Sequence, residues 1–419
     1  MKSKNENKKI ASSVIYNTIG SGCYLFVQWL ILYIVLWISG FKQEGMLSAV
    51  MSVSAVFYAI SLFGMRNYQS TDLDNNHSEK TYVYSRIVTC GIALVGGIAY
   101  CLILKYNLYM TLCVMTYLFF KFSEAIADVF HGTLQKKWLF KIIGISFIIR
   151  AIVSLISFSI TLWISKSLLL SIIAMGISCL LSIFIFDYKQ YIKSVKKLGQ
   201  TSWNKLKQLL WICLPLAIYM ILSNYALSYP KIAIGKILGN KMLGYYTTYA
   251  NPAMIIQVAA TYIVSPLITY FAEIYKSNKY KDFFKLLTKC LVGIIGLTFI
   301  ALLMSKIFGI QIFSLLFGKK ILKYYYLFNQ VIIISMLTAI MWLLGGIITV
   351  LRRFKPLIII NLFYVISVMI FSNQFIRMKG LIGANLVIIS MLILTNVCYF
   401  VYIVIFLKRH YNLTRGGKK

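Results

Sequence analysis

Acidic residues are scarce in this chain. Ten Asp and Glu stand against 43 Lys and Arg in 419 residues, a formal net charge of +33. Charged residues of both signs make up 13%, about half of the roughly 25% usual in a soluble domain. Three histidines (His77, His131 and His410) are present, with no metal-ligand spacing between them. The chain has no GxxxxGK[ST] phosphate loop and no nucleophile elbow. None of the eight cysteines forms a CxxC, and all lie in apolar segments, where they read as small buried hydrophobes. These absences argue against an enzyme and predict no bound metal or cofactor. No loop exceeds about 20 residues, so an ATP-driven pump lacks the soluble domain it needs.

What the chain has is apolar length. Apolar residues make up 60% and mean hydropathy is +0.80. About twelve runs, from 12–38 to 380–407, each reach the roughly 20 residues needed to cross about 30 Å of hydrocarbon. Backbone polar groups in lipid must be bonded within the segment, so the runs are helices. The expected fold is an all-α integral membrane protein. The first apolar run is too long for a signal-peptide core and is taken as an uncleaved span. The segment 306–324 holds only a short apolar run, Ile310–Phe317, expected at the interface.

The basic residues sit between the runs. With the N-terminus placed in the cytoplasm, 29 Lys and Arg fall in cytoplasmic segments, 11 in external ones and three (Lys121, Arg150 and Lys231) inside spans. This obeys the positive-inside rule and predicts a multi-pass protein of even span number with both termini cytoplasmic. It also accounts for the positive charge without a nucleic-acid partner. The longest cytoplasmic loop, around 188–208, divides the spans six and six. Two bundles are expected, 1–200 and 201–419, as parallel repeats.

One span is unlike the others. Lys121, Glu124, Asp128, His131 and Gln135 follow at steps of three, four, three and four, one face of a helix that is otherwise apolar. A charge at the bilayer centre costs roughly 2.5–3.5 kcal/mol on insertion scales. The stripe therefore faces protein or water. Arg150, on the next span, lies about as far from the intervening turn as Glu124, so a buried Glu124–Arg150 pair is expected. Either this is a structural ion-pair network, or it is a cationic cavity whose carboxylates bind a coupling H⁺ or Na⁺. Lys231 follows Pro230, with Asn224 on the same face. A half-broken helix there would aim a cation at an anionic substrate, or Lys231 snorkels to the interface. Asn17 and Gln28 share a face of the first span and either line the same cavity or bond helix to helix. Asn251-Pro252, Gln257 and Ser265-Pro266 mark a hinge or, more simply, a bend in the eighth span.

Four stretches carry a family resemblance. Leu62 to Asp72 (LFGMRNYQSTD) and Lys121 to Gln135 (KFSEAIADVFHGTLQ) resemble segments of bacterial polysaccharide repeat-unit flippases of the Wzx type. Leu315 to Gly318 and Leu243 to Ala250 are similar as well. The resemblance implies two six-helix bundles around a central cavity. It implies a plasma-membrane flippase that moves undecaprenyl-pyrophosphate-linked oligosaccharide to the outer leaflet for capsule, exopolysaccharide or O-antigen assembly. Its partners would be the lipid-linked oligosaccharide, membrane lipids and polysaccharide polymerase machinery. On this reading Lys121, Arg150, Lys231 and Arg66 meet the anion. Glu124, Asp128 and His131 balance charge or bind the coupling ion, while Asn17, Gln28, Asn224 and Gln135 line the cavity. The rivals are a cation-drug antiporter of the same superfamily, a lipid II flippase and a membrane polysaccharide polymerase.

Overall fold

The computed structural model describes residues 4–72, 76–195, 199–351 and 353–416; the side chains of 4–14, 67, 71, 254–269, 272, 273 and 410–416 are outside the description. Among the described residues there is no strand. The helices are α1 (Lys4–Leu62), α2 (Met65–Thr71), α3 (Glu79–Ile103), α4 (Leu108–Lys136), α5 (Phe140–Ser165) and α6 (Leu168–Ser194). Then follow α7 (Trp203–Leu238), α8 (Asn240–Lys276), α9 (Tyr280–Phe317), α10 (Tyr326–Val350) and α11 (Phe354–Gly416). Nine helices in the described residues are long and apolar enough to span a bilayer.

Two of these helices are double. The first holds Gly40 at φ +79° and the last holds Gly380 at φ +60°. A backbone in that region favours glycine and breaks helical geometry, so each long helix is two arms joined at a glycine. The breaks fall where the sequence separates its first two and last two spans. In α9 the apolar run instead continues through a π-helical turn, Ser305–Gly309, to Phe317. The interfacial piece expected at 310–317 is thus the end of a helix begun at Tyr280.

The chain divides into two compact units, Met1–Ser228 and Tyr229–Lys419. The division falls inside α7, not in the loop before it. The start of α7 belongs with the first unit because Leu209 and Cys213 pack with Met65, Tyr82 and Val129. Thr81 also donates to Thr201, and Ser78 to the Gln200 carbonyl.

In the first unit α1 packs most extensively on α5. Their backbones nearly touch: a Cβ on Gly20 would lie 2.2 Å from the Gly144 carbonyl, and one on Gly144 would lie 2.3 Å from that of Tyr16. Small residues at such crossings let helices approach where lipid gives no hydrophobic drive. In the second unit α10 is the most enclosed helix and packs against α8 and α11. The Leu243–Ala250 stretch of α8 bonds to the elements on either side of α10. Tyr246 donates to Asn385 (2.9 Å), and Tyr249 donates to the Ile321 carbonyl (2.7 Å) within a cluster of Phe313, Tyr325 and Phe328.

Candidate functional site

The site grows from α4. Its N-cap, Asn107, accepts from the Met110 N–H (2.8 Å) and starts the helix register. From there the polar stripe falls on the face turned toward α1, α3, α5 and α6, and Glu124 and His131 are buried.

At the end expected to face the cytoplasm, Phe63 and Gly64 take positive φ and turn the chain sharply into α2. The turn brings Arg66 and Gln69 onto α4. Arg66 Nη1 donates to Asp128 Oδ1 (3.0 Å) and its Nε to Gln135 Oε1 (3.0 Å). Gln69 donates to the Val129 carbonyl (3.1 Å) and to Thr133 Oγ1 (3.0 Å). Gly132 makes room for that amide: a Cβ there would lie 2.2 Å from Gln69 Oε1. Thr133 in turn donates to Glu79 (2.6 Å). The two resembling stretches, 62–72 and 121–135, are therefore two sides of one contact.

Asp128 has a second cation. Arg86 Nη2 donates to Asp128 Oδ2 (2.9 Å), and its Nη1 donates to the Ser61 carbonyl (2.5 Å). The Arg86 side chain is 1% exposed, against 28% for Arg66. The sequence counts Arg86 as a loop charge, yet it is buried two helical turns inside α3. The signal was its spacing, seven residues past Glu79 on the face that also holds Tyr82 and Thr89.

Midway along α4, Lys121 donates to Glu124 Oε2 (2.8 Å), one turn away on the same helix. The expected Glu124–Arg150 ion pair is not formed. Arg150 is buried with its guanidinium over Phe147 (4.8 Å) and Tyr24 (5.5 Å), and Lys121 takes its place on the carboxylate. Phe147, one turn before Arg150 on α5, also packs edge-on to the His131 ring (5.4 Å). Glu124 Oε1 and Arg150 Nε are buried without a hydrogen-bond partner among the described residues. Lys121 also lies over Tyr58 and Phe120 (5.4 and 4.8 Å), contacts that hold a desolvated cation.

His131 joins Asp187, a residue that sequence reasoning left at the end of a span. Its Nε2 lies 2.7 Å from Asp187 Oδ1 and 3.2 Å from Ser146 Oγ, and both partners of the pair are buried. Asp187 lies in a π-helical turn of α6, Ile183–Tyr188.

Beyond the spans, Asp72 accepts from the Asn76 and His77 N–H groups (2.9 and 3.2 Å) and from the Tyr82 hydroxyl (2.9 Å). Burial pushes its carboxyl upward, but these bonds and Lys136 outweigh burial and hold it below the usual range. The His77 ring packs edge-on to Tyr68 and Tyr82, and neither ring nitrogen has a partner among the described residues. Burial lowers its pKa, Lys205 adds to this and Asp72 opposes it.

The other expected site residues are more scattered. Gln135 joins Arg66 as above. Asn17 and Gln28 each hold one buried atom without a partner among the described residues, Oδ1 and Nε2. Asn224 donates to the Met220 carbonyl of its own helix (2.8 Å). Lys231 belongs to the second unit and is half-buried. The half-broken helix expected beside it is absent, because α7 runs unbroken through Pro230. The side chains of Gln257, Ser265 and Pro266 lie outside the described residues. Of the cysteines, Cys23 is exposed at the apolar surface of α1, and Cys90 and Cys398 are only half-buried.

With this geometry in hand the chain can be compared with known proteins. No protein-family model matches it. It is 28% identical over 289 residues to the capsular polysaccharide biosynthesis protein CapF of Staphylococcus aureus, covering 67% of this chain and 72% of CapF. Its structure superposes on a multidrug resistance MATE family transporter of the MOP superfamily. In the inward-facing form of that transporter the TM-score is 0.72, with 11% identity over 95% of both chains. The outward-facing form gives 0.66, with 13% identity over 95% of this chain and 96% of the other. The fold is that of these MATE transporters. The Vibrio cholerae MATE transporter VcmN gives the same result, with TM-score 0.66 and 10% identity over 96% of this chain and 97% of VcmN. The chain thus shares the all-α fold of these MATE transporters, has the spanning helices of a multi-pass membrane protein, and resembles in sequence a capsular polysaccharide biosynthesis protein.

Proposed function

We propose that this protein flips undecaprenyl-pyrophosphate-linked oligosaccharide repeat units from the inner to the outer leaflet of a bacterial plasma membrane by alternating access. The observation that carries this reading is the excess of base along the α4 stripe. Among the described residues Arg66 and Arg86 pair with Asp128, Lys121 pairs with Glu124 and Arg150 has no carboxylate within ion-pair distance, while Asp187 is engaged by His131 and Glu79 by Thr133. Such a surface suits a phosphate-bearing substrate and disfavours a cationic drug, which needs acids without matching bases. The likeness to CapF supports polymer assembly over drug export.

Arg66 is the group to receive the pyrophosphate. It is the more exposed of the two arginines on Asp128, and its planar fork suits phosphate oxygens as it suits a carboxylate. When phosphate takes Arg66, Asp128 keeps its bond to Arg86, so no carboxylate is stranded. Lys121, Arg150 and Lys231 add cations further along the path, with Asn17, Gln28, Asn224 and Gln135 as its polar lining. Glu124 is the candidate carrier of a coupling H⁺ or Na⁺, because one of its oxygens is buried with no partner among the described residues. Both termini face the cytoplasm on this reading, and the products pass to polysaccharide polymerase machinery.

The test is leaflet accounting in cells deleted for the protein. Newly made lipid-linked glycan is labelled and its access to an external lectin is measured. Accumulation on the inner leaflet, relieved by the wild-type chain and not by Arg66→Ala, is expected. Unchanged exposure with altered polymer length or drug efflux would replace this reading with the polymerase or the antiporter.

A further inference from the structure

The second unit holds a groove that this function does not use. It has a volume of about 390 Å³ and is lined by Phe299, Leu302, Leu303, Lys306, Ile310, Tyr325 and Asn329. We infer that it binds the headgroup of an anionic phospholipid, with Lys306 and Asn329 donating to the phosphate and the acyl chains lying along α9. This inference stands apart from the flippase reading and uses none of its residues.

The backbone builds the groove. At Ser305–Gly309 helix α9 widens into a π turn, which breaks the usual hydrogen-bond ladder and often marks a ligand site. The Ser305 carbonyl there accepts from the Tyr325 hydroxyl (2.5 Å). Ser305 Oγ bonds to Asn329 Oδ1 (2.7 Å). Gly309 makes room for the Tyr325 ring, since a Cβ on it would meet the Tyr325 hydroxyl at 1.8 Å. Side chains at 302, 306 and 310 thereby stack along one face and form the wall.

The polar end consists of donors. Asn329 spends its oxygen on Ser305, which leaves its amide N–H groups for the groove; among the described residues they have no acceptor. Among the described residues Lys306 forms no ion pair. Two donors, one of them charged, and no carboxylate call for an anionic acceptor. Lys319, Lys320 and Lys323 lie on the 3₁₀-helical segment Lys319–Tyr324, which leads directly to Tyr325.

Depth identifies the anion as a lipid. Sixteen residues from Cys290 to Ser305 separate Lys289 from Lys306. Lys289 and Lys306 are thus about 26 Å apart along the helix, slightly less than a hydrocarbon core of about 30 Å, so the ammonium groups reach headgroup level by snorkelling. Phe299 and Leu303, below Lys306, are exposed on the lipid-facing side. A free ion would leave these apolar walls uncovered, whereas an acyl chain covers them.

Native mass spectrometry of the full chain in detergent tests this, with phosphatidylglycerol and phosphatidylcholine of identical acyl chains in equal amounts. Wild type should retain phosphatidylglycerol over phosphatidylcholine by about fivefold, the ratio expected of one ammonium at a charged headgroup. Lys306→Gln should bring the ratio close to parity. Leu303→Trp, which fills the groove and leaves every charge in place, should reduce retention of both lipids. Lys320→Gln should change little. No preference in wild type would overturn the inference. So would equal retention by Lys306→Gln, or an equal loss in Lys320→Gln, which would mean diffuse charge and no site.

Discussion

Arg86 reaches Asp128 at 2.9 Å from a position where its side chain is 1% exposed, while Arg66 holds the other oxygen of the same carboxylate at 3.0 Å. The two arginines are therefore not equivalent. One is a permanent buried partner and the other a cation at the surface of the site.

Their removal should differ accordingly. Asp128→Ala strands Arg86 in the protein interior, and breaking a buried pair from one side costs about 3–5 kcal/mol. Arg66→Ala leaves Asp128 on Arg86, strands no charge and should cost less. Thermal unfolding of the purified protein in detergent should rank Asp128→Ala well below Arg66→Ala. Equal losses would mean that Arg66 and Arg86 share the load.

The His131–Asp187 contact makes a similar prediction. His131→Ala leaves a buried carboxylate without its 2.7 Å donor. The loss should approach that of other hydrogen bonds to charged groups, roughly 1.5–3 kcal/mol, or exceed it. Asp187→Asn keeps a polar partner and should cost less. The same unfolding assay compares the two.

The crossing of α1 and α5 has no slack. Gly144→Ala would drive a methyl group into the Tyr16 carbonyl, which is backbone and cannot rotate away. A loss of about 1–3 kcal/mol is expected, the usual cost of overpacking. Gly22→Ala, in open space on the same helix as Gly20, is the control and should be close to neutral.

The junction between α2 and α3 should loosen in acid. His77 has a lowered pKa, so the unfolded junction takes up protons first, from about pH 6.5 downward. Stability falls across the interval from there to the folded value. Asp72 has a lowered pKa as well, so its contribution is complete above about pH 3.9 and is lost as pH falls through the folded value. The groups facing His77 are Asp72, Lys205, Tyr68 and Tyr82. Amide protection in 76–82, corrected for the intrinsic exchange rate, should therefore fall as pH drops below about 6.5, and His77→Phe should remove that response while keeping the ring contacts.

Much of this architecture was legible in the sequence. Apolar run length gave the spans, and the 3,4-spacing of Lys121 to Gln135 gave the buried polar face, because both follow from helix geometry alone. Other features depend on tertiary placement. Glu124 and Arg150 are at matched distance from the turn in sequence, but depth does not fix side-chain direction, and Lys121 takes the Glu124 carboxylate. Arg86 is indistinguishable by composition from the loop bases around it; only packing against Ser61 and Asp128 buries it. Asp187 lies at a span end by hydropathy, and a π turn that no residue pattern announces turns it to His131. Pro230 suggests a break, yet the helix absorbs it.

Transport itself is the most direct test. A fluorescent undecaprenyl-pyrophosphate oligosaccharide is placed in both leaflets of proteoliposomes containing the full chain, and a membrane-impermeant quencher reports the fraction that crosses. The account predicts that the wild-type chain exposes nearly all of the label with time. Arg66→Ala should retard exposure at least tenfold, which is about 1.4 kcal/mol of lost interaction, while unfolding at nearly the wild-type temperature. A wild-type chain that leaves half of the label protected, or an Arg66→Ala variant that flips at the wild-type rate, would contradict it.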